Sequence, residues 1–136
     1  MDFDPPSVPQ PHRNSLSDGW RTVSFITWVL SGAALVAVAI TSRTIGRPIW
    51  WLGPESDPAT PLLLLVPLAI IVVPLVVTSK LPRRITVTNI TCSALLLLTS
   101  LGDLGSSPAI AAGVALVGVL SLAVSVSLLF VARQYR

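Results

Sequence analysis

His12 and Cys92 are the single histidine and the single cysteine in this chain of 136 residues; one falls in a polar tail, the other in an apolar stretch. A transition-metal site needs three or four such ligands at short spacing, and a disulfide needs a second thiol, so neither can form within one chain. Glu55 and Asp57 lie close together, as a general acid and base would, but no partner base accompanies them. Asp103 follows the third apolar segment and is expected to pair with Arg43 or Arg47. If exposed, such a pair is worth less than about 1 kcal/mol. With no nucleophile, base or metal site converging, the chain reads as a non-enzyme, and no cofactor is expected.

What must carry these residues is set by where the charges lie. All nine Lys/Arg and all six Asp/Glu sit between or outside four uncharged segments, residues 23–42, 61–79, 85–102 and 109–132. At about 1.5 Å rise per residue each segment reaches roughly 27 Å or more, enough to cross a hydrocarbon core of about 30 Å. A composition 52% apolar and 11% charged could not cover a water-facing surface. The expected fold is therefore all-α: a polytopic membrane protein with four transmembrane helices in an up-down bundle over residues 21–136, preceded by a disordered Pro-rich tail over residues 1–20. The third segment is the shortest and most polar, with Thr86, Thr88, Asn89, Thr91, Cys92 and Ser93. Half-insertion is its alternative, but the short polar linkers on both sides favour spanning.

Orientation follows from the bases, because short loops rich in Lys and Arg stay cytoplasmic. Arg13, Arg21, Lys80, Arg83, Arg84, Arg133 and Arg136 fall on the side of both termini, and Arg43 and Arg47 on the other, a division of seven to two. Both termini are expected to be cytoplasmic, in a cell (plasma) membrane. The bases flank helix ends, where anionic head groups meet them, and they form no folded patch for nucleic acid. Ala37, Val38 and Ala39 make an A-x-A pattern that a signal peptidase recognises. The long apolar core before it, and a tail holding Asp2, Asp4 and Asp18, favour an uncleaved span.

The tail carries Pro5, Pro6, Pro9 and Pro11 and too little apolar surface to offset chain entropy, so it is expected to be a flexible cytoplasmic arm. Pro6 and Pro9 have P-x-x-P spacing without a well-placed base. Ser15 and Asp18 stand in a variant of the capping pattern, and Trp20 and Arg21 read as interface anchors.

The first linker is the longest. Trp50 and Trp51 are bracketed by Gly46, Pro48, Gly53 and Pro54, which suits a segment lying in the head-group layer. A sharper reading makes Arg43, Arg47, Trp50 and Trp51 a lipid or partner contact, the arginines facing a phosphate or carboxylate and the indoles packing on apolar surface. The run Gly46-Arg47-Pro48-Ile49-Trp50-Trp51-Leu52-Gly53-Pro54, followed by Ser100-Leu101-Gly102-Asp103-Leu104, resembles the uncharacterised small four-span integral membrane proteins of actinobacteria. The resemblance implies the four-span topology and brings no assigned activity.

In the second segment Pro61 suits a helix start, while Pro67 and Pro74 each remove an internal hydrogen bond and are expected to kink it. Linkers of five residues (80–84) and six (103–108) force neighbouring spans into hairpins, so spans two to four should form a compact unit, with span one joined by the longer loop. Two stripes follow helical spacing: Thr86, Asn89, Ser93 and Ser100 on span three, and Ala111, Ala115, Gly118, Ser121 and Ser125 on span four. They are expected to meet. An unsatisfied Asn89 amide would cost several kcal/mol in hydrocarbon, and a carbonyl freed by Pro74 is its expected partner. Its N-x-T context is too deep for glycosylation.

With no ionisable group in the segments, coupled transport loses its usual machinery. The favoured function is a non-enzymatic accessory or structural subunit packing against a larger membrane complex. The alternative is an oligomeric small transporter or pore, with the polar stripe lining a path. Expected partners are the lipid bilayer and a membrane protein or a second copy of the chain, with no nucleic acid.

Overall fold

The computed structural model describes residues 17–134. Residues 1–16 of the expected tail, with His12, Arg13, Ser15 and the P-x-x-P spacing, lie outside them, as does Arg136. Within the described residues every regular element is helical: α1 (Asp18–Thr44), α2 (Pro61–Lys80), a 3-10 turn (Pro82–Arg84), α3 (Ile85–Leu101) and α4 (Pro108–Gln134). All four regions are long and apolar enough to cross a membrane, counting the 3-10 turn with α3, which is the least apolar.

Local chemistry explains the ends. Pro61 and Pro108 occupy first-turn positions, where a missing N–H costs nothing. The α1 helix ends in a Schellman motif: Arg47 N–H donates to the Ser42 carbonyl at 2.9 Å and Gly46 N–H to that of Arg43 at 3.0 Å. Gly46 takes the positive φ of 69° that this cap requires. At the other end α1 starts at Asp18, so Asp18, Gly19 and Trp20 are helical although the sequence assigned them to the tail. Ser17 holds the N-cap position, with no capping bond from its side chain.

The extensive contacts pair α1 with α2 and α4, and α3 with α2 and α4, which closes a ring. The α3–α4 pair is the most extensive, and α1 packs as an integral member of the ring. The core runs through Trp28, Leu35, Ile70, Cys92, Leu96 and Val114. A second cluster, Ile49, Trp51 and Ile110 with Trp50 and Leu63 against it, caps one end of the ring with the first linker.

Polarity is inverted relative to a water-soluble bundle. Ser24, Ser31, Asn89, Ser93, Ser121 and Ser125 are buried, while Leu30, Ile40, Leu62, Leu98 and Leu116 are more than half exposed. In water such exposure would be costly, whereas hydrocarbon rewards apolar faces and drives polar groups to seek partners inside.

Candidate functional site

Two polar clusters occupy the interior. In the first, Asn89 of α3 reaches across to α1: its Nδ2 donates to Ser24 Oγ at 2.7 Å, and its Oδ1 accepts from Trp28 Nε1 at 3.0 Å. Ser24 Oγ lies 3.3 Å from Thr78 Oγ1 of α2, so three helices share the cluster. Asn89 is 1% exposed. The expected partner, a carbonyl freed by Pro74, is replaced by this hydroxyl and indole. They satisfy both ends of the amide, which one carbonyl could not.

Deeper in the ring, Ser31 Oγ donates to the Thr27 carbonyl at 2.8 Å and lies 2.8 Å from Ser121 Oγ. Ser125 Oγ donates to the Ser121 carbonyl at 2.7 Å and lies 3.3 Å from Ser93 Oγ. Each hydroxyl has one proton, so Ser121 must donate to Ser31, and Ser93 to Ser125. The two stripes therefore meet at Ser93 and Ser125, while Asn89 and Ser121 turn to α1 instead. Gly118 is the close-approach point of α3 and α4: a Cβ there would lie 2.8 Å from a Leu97 methyl carbon. Ala111 and Ser100 are buried, and Ala115 is half-buried.

The first linker is folded onto the helix ends. Trp50 N–H donates to Asp103 Oδ1 at 3.0 Å, and Trp50 Nε1 donates to the Thr99 carbonyl at 3.1 Å. The indole packs against Gly102, where an added Cβ would stand 2.6 Å from its Cδ1 and Nε1. Gly53, at a φ of 70°, allows the backbone of Asp57 and Ala59 to close against it. Trp51 is buried, so of the four contact candidates only Arg43 and Arg47 are exposed, with Trp50 half-buried.

Asp103 forms no ion pair with either arginine; the one ion pair among the described residues is Arg21 with Asp18, at 3.6 Å. The expectation failed because Asp103 is 1% exposed beneath the linker, where the Trp50 amide reaches it and the exposed guanidinium groups do not. Its second oxygen, Oδ2, has no hydrogen-bond partner. Burial pushes the carboxyl up from its ordinary range, against a smaller downward pull from the Trp50 N–H.

Beside the linker, a groove of about 540 Å³ runs between α1 and α2, with Arg43 and Trp51 at one end. Among the described residues no three His, Cys, Asp or Glu side chains cluster as metal ligands would. Ser24, Trp28 and Ser31 were missed from the sequence, though a signal existed. They stand at i, i+4 and i+7 on α1, continuing to buried Leu35, and mark one inward face. Comparison with protein-family models, with curated proteins and with solved structures gives no match.

Proposed function

We propose that the chain is a non-enzymatic multi-pass protein of the plasma membrane, of the actinobacterial four-span kind that its Trp loop resembles, serving as an accessory or structural subunit of a larger membrane complex. One observation carries this reading: the polar side chains of four helices are partnered inside a single ring while the outward faces are apolar. Up-down packing with both termini cytoplasmic suits the contacts at the two ends. Arg21 near the start of α1 donates to the Thr78 carbonyl near the end of α2, at 3.3 Å. The linker after α1 lies on the end of α3.

The α4 stripe is used within the chain, so a partner must be met elsewhere. The exposed loop charges Arg47, Glu55 and Asp57 and the outward apolar faces remain for it. A pore lined by the α3 stripe has less support, since Asn89, Ser93 and Ser100 are buried within one chain. Purification of the full chain in mild detergent tests the reading. A partner protein of fixed stoichiometry is expected, and a homo-oligomer that conducts solute in liposomes would overturn it.

A further inference from the structure

The α1–α2 groove is apolar along its length and cationic at one end. Gly32 and Ile71 close its far end, where a Cβ on Gly32 would stand 3.1 Å from the Ile71 side chain. Val36 and Ile40 on α1 and Leu64 and Leu68 on α2 form the walls, all exposed. At the near end Trp51 and Leu52 form a roof with Arg43 beside it. From Gly32 to Arg43 the helix rises about 16 Å, close to half of a hydrocarbon core of about 30 Å. A blind apolar slot one leaflet deep, opening beside a cation, has the shape and charge of an anionic amphiphile.

Arg43 suits the head of such a molecule. It is exposed and lies within ion-pair distance of no acid among the described residues. A guanidinium binds phosphate oxygens in pairs, with a geometry that a lone snorkelling cation would not exploit. Trp51, buried beside it, gives the roof an amphipathic ring at the depth where tail meets head group. At about 540 Å³ the groove lies within the range of small-molecule sites, about 300–1,000 Å³.

We propose that this groove holds one anionic phospholipid, an acyl chain lying between α1 and α2 and the phosphate on Arg43. The assignment rests on the membrane-embedded reading above, and adds a defined lipid to it. Arg47, also exposed, is not part of the wall.

The test is reconstitution of the full chain into nanodiscs of mixed phosphatidylcholine and phosphatidylglycerol, followed by extraction and native mass spectrometry of retained lipid. One phosphatidylglycerol per chain is expected, in preference to phosphatidylcholine. Arg43→Ala should lower its retention about fivefold, the worth of one basic residue at an anionic surface. Val36→Trp, which fills the slot from an exposed position, should do the same, and it carries the test if Arg43→Ala fails to fold. Arg83→Ala removes an equal charge at the 3-10 turn and should leave retention unchanged. No preference in the wild type, equal losses in Arg43→Ala and Arg83→Ala, or undiminished retention in Val36→Trp overturns the proposal. A chain that does not enter the nanodisc at all overturns the membrane-embedded reading instead.

Discussion

Asn89 shows how much one uncharged side chain can organise. Its amide joins Ser24 and Trp28 of α1, and through Ser24 it reaches Thr78 of α2. Asn89→Ala would leave a buried indole N–H and a hydroxyl short of a partner, a cost of about 1–3 kcal/mol. Thermal unfolding in detergent should fall accordingly, and combining it with Trp28→Phe should cost less than the sum of the two, since both remove the same bond. Asp103 makes a pH-dependent prediction. Its folded carboxyl titrates above the ordinary range because it is buried, so the protonated form suits the folded state better. The stability that Asp103 contributes is greatest at low pH, falls as the unfolded carboxyl ionises, and levels off once pH passes the raised folded value. Asp103→Asn keeps an acceptor for the Trp50 N–H and should abolish this fall. A wild-type unfolding temperature flat through the carboxylate range and above it would contradict the assignment. That Asn89 needed strong partners was legible in the sequence, but which ones was not, because the residues that meet it lie 61 and 65 positions away.

Among the helices, α2, α3 and α4 begin within a residue of where the uncharged segments begin, at Pro61, Ile85 and Pro108. Proline and short linkers punctuate those starts, and their effect is local. The start of α1 was less legible. Reading it from the first apolar residue after Arg21 placed it at 23, yet the helix begins at Asp18. A charge ends a hydrophobic segment without ending a helix, and Arg21 is held by the Thr78 carbonyl and Asp18. The α3–α4 contact was legible as two stripes, and it depends on Gly118. Gly118→Leu would drive side-chain atoms into Leu97, and overpacking of this kind costs about 1–3 kcal/mol. Loss of thermal stability is the expected outcome, whereas an unchanged unfolding temperature would remove close approach at this position from the picture.

At the scale of the whole chain, the burial of serines and asparagine behind leucine and valine faces favours a bundle whose outward sides meet lipid or a membrane partner. Reporter fusions at either terminus should then give cytoplasmic signals, and an external signal at one end would break the four-span topology. The inverted polarity itself is open to direct measurement. In a Cys92→Ser background, single cysteines at Leu30, Leu68, Leu98 and Leu116, one exposed leucine on each helix, can be spin-labelled in reconstituted bilayers. Power saturation then compares their access to molecular oxygen, which concentrates in hydrocarbon, with access to a water-soluble nickel chelate. A lipid-clothed bundle predicts high oxygen and low nickel accessibility at all four positions. Nickel accessibility above that of oxygen at any of them would mean that the face meets water, and would contradict it.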